Sequence, residues 1–409
     1  MSWALSHGRP PLLVALVIGL AVSISLSEIT LTVLAVWLLL ARRAGLLGPL
    51  RWPLLGPIAA LAFWTVIAAL ASARPIDSLI QCKHLLTLGA LFVIVNALPD
   101  PPAARRFATW LLLAVTGASA LALVQVTACQ DLRSTGSATL IGKFFRKCAR
   151  ARGFYSIYMT LAGVLAMVLT ATLPRLARPG RDVRWLGPAW LLNGAVLALT
   201  YVRGAWVGLV AGTVTVAAGL GRRGAIAMVA LTLLGALMVA LPTVRHRAAT
   251  IVDPSNETAR DRMAMMQVGL RLAREHPLTG IGPGQLKYVY PQLAPPEALR
   301  RSTSHVHNSP LQIALERGVI GFGAWLWIFV AFFRRAGGLL VRLPAVAMED
   351  RALVLGSLAA VATFLVAGLF EYNFGDTEVL LIALALMALP FALVPPDATA
   401  SSPPGRGRF

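Results

Sequence analysis

The sequence predicts an all-α polytopic membrane protein with about twelve transmembrane helices, and three observations support this. Of the 409 residues, 57% are hydrophobic and only 13% are charged, whereas about a quarter of the residues in a soluble domain are charged. Apolar stretches close to the roughly 20 residues that span a bilayer recur from end to end. No polar block is long enough for an independent soluble domain, so a single membrane domain is expected.

Twelve apolar segments fit as membrane spans, nine before and three after one large polar loop. Helices 1–9 are predicted within 1–242, a loop that contains helices within 243–307, and helices 10–12 within 308–394. Residues 395–409 are rich in Pro, Ser, Gly and Arg and are expected to form a disordered tail. The expected spans are 11–26, 28–41, 53–73, 78–98, 107–128, 153–173, 185–201, 204–220, 224–242, 308–333, 350–371 and 377–394.

Arginines in alternate short connections predict the orientation of these spans. Because basic residues mark cytoplasmic loops, this pattern puts both termini in the cytoplasm and the 243–307 loop on the opposite face. The connections that carry them include Arg42, Arg43, Arg51, Arg105, Arg106, Arg175, Arg222, Arg223, Arg334 and Arg335.

The formal net charge of +20 favours a polyanionic ligand rather than nucleic acid, because the basic residues lie between membrane spans. Two groups of them fall on the predicted outer face, against the usual distribution. Contact with anionic lipid headgroups is the alternative explanation, and membrane lipids are expected partners in either case. The 129–152 group includes Lys143, Arg146, Lys147, Arg150 and Arg152, and the 243–307 group includes Arg260, Arg262, Arg271, Arg274 and Lys287.

The three cysteines show no metal-binding spacing. Cys82 falls within a span and is expected to be an inert small hydrophobic residue. Cys129 and Cys148 share one predicted outer loop, where a disulfide can form, and the sequence leaves this pairing open.

The segment around His307 is the most informative for chemistry. Pro310 suits a first helical turn, and Asn308 or Ser309 suits the cap before it, so His307 should lie just ahead of a helix N-terminus. The positive end of that helix and nearby arginines favour a neutral imidazole, which can accept a proton as a general base. The alternative is a histidine that only caps the helix.

Further along the same predicted helix, Gly318 and Gly321 should let another backbone approach closely. His307-Asn308, nine further residues and Gly318-x-x-Gly321 match the pattern of the O-antigen ligase and polymerase superfamily, which the chain therefore resembles. Phe322 stands where that family often has Thr.

Three upstream elements strengthen this resemblance, which covers about 74–325. Arg262 opens a helix followed by a His-Pro-x-x-Gly-x-Gly turn, although Met266 occupies a position that is often Trp. Arg203 belongs to a segment similar to the family's Ser-Arg-Gly-Ala-Trp element. Arg152 belongs to one similar to its Arg-x-Gly-Phe element.

The resemblance implies a GT-C-like membrane glycosyltransferase that needs no metal or other cofactor. It implies a glycan on undecaprenyl pyrophosphate as donor, lipid A-core as acceptor, and an active site on the periplasmic side of the bacterial inner membrane. Since the pyrophosphate leaves as a stable anion, the reaction needs a base and cations but no general acid. His307 is the expected base, and Arg203 and Arg262 the expected pyrophosphate clamp, because the arginine fork suits phosphate oxygens. The expected further substrate contacts are Lys83, Arg146, Lys147, Arg150, Arg152, Arg260, His305 and Asn308.

Several alternatives stay open at this point. Arg203 could be a loop charge that meets headgroups, Arg262 could pair with Glu257 or Asp261 on a solvated helix face, and Lys83 could belong to an internal ion pair. Asp376 and Glu378 have the spacing of an acidic metal pair, but carboxylates at a helix N-terminus are also stabilised without metal.

The same motif is compatible with an O-antigen polymerase or a protein O-oligosaccharyltransferase that uses the same donor. A transporter of polyprenyl-linked glycans is a third possibility, but it predicts charged residues spread through the middle of the bundle.

Overall fold

The computed structural model describes residues 8–128, 150–177, 183–221, 224 and 257–394, and within these ranges all regular secondary structure is helical. An all-α fold is therefore confirmed. The helices are α1 Arg9–Val22, α2 Ile24–Arg43, α3 Leu55–Leu70, α4 Pro75–Gln81, the 3₁₀ helix η1 Cys82–Gly89, α5 Ala90–Ala97, α6 Pro101–Thr127, α7 Tyr158–Leu176, α8 Val183–Leu199, α9 Arg203–Leu220, α10 Glu257–Glu275, α11 Leu286–Leu293, α12 Ser309–Arg342, α13 Met348–Ala367 and α14 Thr377–Ala392.

Seven of the described helices are long and apolar enough to cross a membrane, and three further helices are apolar but shorter. The polytopic membrane fold is thus confirmed, while the count of twelve spans stays a prediction. The ninth predicted span, 224–242, the tail 395–409 and the cysteines Cys129 and Cys148 lie outside the described residues, apart from Gly224. The seven are Ile24–Arg43, Pro75–Ala97, Pro101–Thr127, Tyr158–Leu176, Arg203–Leu220, Ser309–Arg342 and Met348–Ala367.

The boundary between the first two helices differs from the sequence prediction near Ser27 and Glu28. It lies at Ser23, whose backbone is extended and whose hydroxyl accepts a hydrogen bond from the Leu26 amide at 3.4 Å. Serine is a favoured N-cap, so one residue is enough to end α1 and start α2. The hydropathy is apolar on both sides of Ser23, which is why the sequence pattern placed the break late.

The core of the bundle is formed by α7, α13 and α14, which are apolar on every face and largely buried. Helices with this composition belong inside a bundle, surrounded by other helices. Helix α13 packs against α7 and α9, and Gly212 of α9 leaves no space for a side chain beside Thr363. The outer helices cover this core, within which the Thr170 and Thr363 hydroxyls lie 3.0 Å apart.

At one end of the bundle, arginines bind the ends of helices. Arg51 donates hydrogen bonds to backbone carbonyls after α5 and α14, including that of Leu98 at 2.7 Å. Arg105 of α6 forms an ion pair with Glu349 of α13. These connections were predicted to share one side of the membrane, and the contacts bring them to the same end. That this side is cytoplasmic stays a prediction.

Candidate active site

At the opposite end of the bundle, the turn 276–284 after α10 docks onto a break in α12. Gly318 has φ 65° and ψ −172° inside that helix, and the Ile281 amide donates to the Leu315 carbonyl at 2.8 Å. A Cβ on Gly318 would lie 1.9 Å from the carbonyl oxygen of Leu278. The prediction that Gly318 permits close approach of another backbone is therefore confirmed.

A buried polar network holds the two sides of this junction together. The carboxylate of Glu316 accepts hydrogen bonds from Gln312 Nε2 and from the Gly284 amide, both at 2.9 Å. Its other oxygen accepts from Arg317 at 2.7 Å, and Arg317 Nε donates to the Thr65 hydroxyl at 3.1 Å. This network ties the turn to α12 and to α3, and sequence reasoning did not single out Glu316.

The residues that start α12 adopt the predicted cap. Asn308 is the N-cap, its side-chain oxygen accepts from the Leu311 amide at 2.8 Å, and Pro310 lies in the first turn. The Asn308 amide also donates to the Leu369 carbonyl at 3.0 Å. These bonds give Asn308 a structural role, whereas its predicted substrate contact stays untested. His307, one residue earlier, has φ 52°, a left-handed conformation that is uncommon outside glycine.

His307 is part of an ion cluster with two residues from distant parts of the chain. His307 Nδ1 lies 2.8 Å from one carboxylate oxygen of Glu371, in the connection between α13 and α14. The other oxygen pairs with Arg262 of α10, which also donates to the Phe370 carbonyl at 3.0 Å. The side chains of His307 and Glu371 are only 13% and 12% exposed, so the cluster is held in a largely dehydrated position.

The charge of Glu371 decides which nitrogen of His307 carries the proton. Burial alone raises the pKa of Glu371, but the hydrogen bond from His307 and the charge of Arg262 outweigh it and hold the pKa below its usual value. An ionised carboxylate can only accept, so Nδ1 of His307 must donate, and in the tautomer with that single ring proton Nε2 is left as an acceptor. Among the described residues, Nε2 has no hydrogen-bond partner. This is the arrangement that a general base requires.

His305 stands next to this cluster. Its ring centroid is 4.5 Å from that of His307, and its Nδ1 lies 3.1 Å from the Ser304 hydroxyl. Burial, followed by the proximity of His307, lowers the pKa of His305 to about 4. His305 is therefore neutral near pH 7 and can both donate and accept hydrogen bonds.

The structure brings the start of α9 and Arg262 to the same neighbour, Phe370. Arg203 is the first residue of α9, and a Cβ on Gly204 would lie 2.6 Å from the Phe370 side chain. The carbonyl of Phe370 accepts the hydrogen bond from Arg262. Arg262 pairs with Glu371 and not with Asp261, which instead accepts from the Leu299 and Arg300 amides. The alternative of a local pair on the helix face is thus wrong for Asp261.

The other predicted cations are more dispersed. Arg150 stacks on the ring of Tyr158 at 4.4 Å, Arg260 donates to the Glu297 carbonyl at 3.4 Å, and Lys83 is exposed on η1. In the described ranges, none of these three contacts the His307 cluster. Arg152 lies in the segment before α7, while Arg146 and Lys147 lie outside the described residues.

Asp376 and Glu378 are used to cap α14. Asp376 accepts from the Glu378 amide at 3.1 Å and from the Thr160 hydroxyl at 2.5 Å, and Glu378 accepts from the Ser156 hydroxyl at 2.7 Å. Burial raises the pKa of Asp376. No group of three or more His, Cys, Asp or Glu side chains that could hold a metal ion occurs in the described part of the chain.

Glu371 is the residue of this site that the sequence reasoning missed. It was counted as the last residue of the predicted span 350–371, but α13 ends at Ala367. A carboxylate at the edge of an apolar span is itself a signal, because acidic residues there need a partner. The sequence gives no indication that the partner is His307, 64 positions earlier in the chain.

One segment of the chain is similar to a known protein family. Residues 188–326 match the family model described as O-antigen ligase, whereas no curated protein matches the chain significantly. The matched segment contains Arg203, Arg262, His307 and the break at Gly318, and Glu371 lies outside it. Residues 188–326 are therefore similar to the O-antigen ligase family, within a chain whose described helices form a polytopic membrane protein.

Proposed function

We propose that this protein transfers an O-antigen glycan from undecaprenyl pyrophosphate to lipid A-core at the periplasmic face of the bacterial inner membrane. The single observation that carries the proposal is the His307–Glu371 pair, which leaves Nε2 of His307 without a partner among the described residues while Arg262 binds the other oxygen of Glu371. The family match supports lipopolysaccharide biosynthesis as the process.

The proposed reaction is a displacement at the anomeric carbon of the donor. His307 Nε2 takes the proton of an acceptor hydroxyl, whose oxygen forms the new glycosidic bond. The bond from the anomeric carbon to the pyrophosphate oxygen breaks, and the lipid pyrophosphate leaves with the electron pair. Glu371 stabilises the imidazolium that forms and keeps the ring oriented throughout. The proton leaves later to solvent.

Arg262 can serve the pyrophosphate while it holds Glu371. A guanidinium has five N–H groups, and Arg262 uses one on Glu371 and one on the Phe370 carbonyl. The remaining donors are available for phosphate oxygens, and Arg203 supplies a second cation from the start of α9. Arg152, Arg150, Lys83, Arg146, Lys147 and Arg260 are proposed to attract the polyanionic donor at longer range.

The test is deletion of the gene followed by gel analysis of lipopolysaccharide. Loss of the O-antigen ladder together with accumulated lipid-linked polymer supports the ligase. Loss of the ladder with a single repeat unit left on the core supports a polymerase with the same motif. An unchanged ladder overturns both the ligase and the polymerase function. That result is checked in a transfer assay with purified protein, lipid-linked donor and lipid A-core.

A further inference from the structure

A cavity of about 300 Å³ lies beside His305, outside the ion cluster. Its walls come from η1, from the turn that precedes α11, and from the segments on either side of the His307 cluster. Ligand pockets in proteins measure roughly 300–1,000 Å³, so this one is at the small end and suits a single ring rather than a chain. The residues that line the cavity include His84, Lys287, Ser304, His305, Tyr372 and Phe374.

His307 and the two clamp arginines, Arg203 and Arg262, are not among the residues that line this cavity. Arg262 and the start of α9 both contact Phe370, whereas the cavity is lined by Tyr372, two positions further on. The His305 ring lies 4.5 Å from that of His307 and 5.9 Å from that of Tyr372. In a displacement reaction the nucleophile and the leaving group occupy opposite sides of the carbon. If the arginines hold the pyrophosphate, the cavity that they do not line is left for the acceptor that supplies the attacking hydroxyl.

The lining combines apolar surface from Leu85, Leu88 and Leu380 with groups that suit a polar ring carrying a negative substituent. Tyr372 and Phe374 provide aromatic surface, and His305 is a neutral group that can donate to or accept from hydroxyls. Glu316 and Arg317 also reach the cavity but neutralise each other through their 2.7 Å ion pair. Lys287 is exposed at the wall, and the neighbouring Tyr288 ring lies under the guanidinium of Arg74 at 4.1 Å. The formal charge of the lining is therefore positive.

We propose that this cavity is the acceptor subsite, which binds the sugar ring that supplies the attacking hydroxyl, with Lys287 against a phosphate or carboxylate on that acceptor. The assignment rests on the proposed transfer reaction. It adds a location and a charge preference for the acceptor that the His307 cluster alone does not specify.

A cavity-filling pair of variants tests the location. Ser304 is exposed and lines the cavity, so Ser304→Trp should block it without opening the core; Ser302→Trp, two residues away and also exposed, is the matched control. For Ser304→Trp we expect the KM for lipid A-core to rise at least tenfold while the Kd for the lipid-linked donor is unchanged. Ser302→Trp should behave as wild type. An unchanged acceptor KM, or a loss of donor binding instead, overturns the assignment.

A second pair of variants tests the proposed charge preference of the cavity. It also provides a test if Ser304→Trp fails to fold. Lys287→Ala should raise the KM for a phosphorylated acceptor severalfold but leave that for the dephosphorylated acceptor unchanged, and Arg335→Ala, exposed towards the C-terminal end of α12, is the control. Equal effects on both acceptors contradict the role of Lys287.

Binding of deacylated core oligosaccharide, measured by calorimetry, separates this proposal from the transfer reaction. Wild-type binding that Ser304→Trp removes supports a sugar site even if no transfer occurs, in which case only the proposed function fails. If the wild type transfers the glycan but wild type and Ser304→Trp bind the oligosaccharide equally well, the subsite assignment fails and the proposed function stands.

Discussion

Two polar clusters flank the first two turns of α12. They have similar components, but they differ in how many of their hydrogen-bonding groups are paired with protein groups. Each has a buried carboxylate that contacts an arginine and a second polar side chain: Glu371 with Arg262 and His307, and Glu316 with Arg317 and Gln312. In the Glu316 cluster the bonds end on protein groups, including the Gly284 amide and the Thr65 hydroxyl. In the His307 cluster, an imidazole nitrogen and several guanidinium N–H groups have no protein partner among the described residues.

This difference separates a structural cluster from a reactive one. Buried polar groups that are fully paired fix the backbone, and here they fix the turn 276–284 onto the break at Gly318. Groups held in place but not fully paired keep hydrogen-bonding capacity for a ligand. The left-handed backbone at His307 agrees with this division, since strained residues concentrate at functional sites.

The largest expected effect is that of His307→Ala. It removes the open acceptor nitrogen, so transfer should fall by about 10²–10⁴-fold, the usual contribution of a general base. The protein should still fold and bind the lipid-linked donor, which is measured by thermal unfolding and by a donor-binding assay. His276→Ala, at an exposed position of the turn after α10, is the control and should keep wild-type turnover. Wild-type turnover by folded His307→Ala protein would remove His307 from the mechanism.

A paired substitution tests the two clusters directly. Glu371→Gln should lower kcat by about 10²-fold or more with a modest change in stability, because the ring loses the charge that stabilises its protonated form. Glu316→Gln leaves Arg317 buried without its counter-charge, which typically costs about 3–5 kcal/mol, so the thermal midpoint should drop instead. Activity and unfolding are measured on both proteins. If Glu316→Gln is stable and inactive, or Glu371→Gln unstable and active, the two assignments are reversed.

The local parts of this site were predictable from sequence, and its long-range pairing was not. The cap at Asn308, the first-turn Pro310 and the close approach at Gly318 follow from short-range rules of helix ends and glycine packing. Glu371 and Arg262 meet only because α10 folds back over the connection after α13. Pairing across such a distance depends on tertiary structure, which local patterns do not encode.

The pairing of Arg262 illustrates the same limit. Asp261, its sequence neighbour, was a reasonable partner, but a neighbouring residue points to a different side of a helix. Asp261 therefore caps amides of the 297–301 segment, and Arg262 faces Glu371. The ligand contacts predicted for Arg262 remain compatible with its unused donors.

Lysine replacements test whether Arg203 and Arg262 bind phosphate oxygens through the planar pair of N–H donors of arginine. Arg203→Lys and Arg262→Lys keep the charge but lose the planar pair of donors, so donor binding or turnover should fall about ten- to a hundredfold. Alanine variants should be worse. Arg43→Lys, exposed at the opposite end of the bundle, is the control and should be unaffected. Equal activity for all three lysine variants would show that the shape of the side chain is unimportant, and the clamp would have to be sought around Arg150 and Arg152.

Chelation of divalent metal ions is expected to leave the transfer activity of the protein unchanged. Since a histidine base and arginine cations supply the proposed chemistry, EDTA should leave the transfer rate within about twofold of the untreated rate. Asp376→Ala, which removes the cap of α14, should lower stability by about 0.5–2 kcal/mol without abolishing turnover. Activity that EDTA removes and magnesium or manganese restores would instead assign a metal role to Asp376 and Glu378.

A modest further effect is expected on the pH dependence of stability, which reports on His305 beside the His307 cluster. The folded pKa of His305 is about 4, below its usual 6.5, so the unfolded chain binds the proton more readily and stability falls as the pH drops from 6.5 towards 4. At pH 5 this amounts to about 2 kcal/mol relative to neutral pH. The lowered pKa of Glu371 acts in a separate window, since its stabilisation is lost only below its usual value near 4.5. His305→Gln keeps a polar side chain without the titration, so its thermal midpoint should fall less than that of the wild type between pH 7 and pH 5. Parallel curves for the two proteins would mean that His305 is not held neutral by burial beside His307.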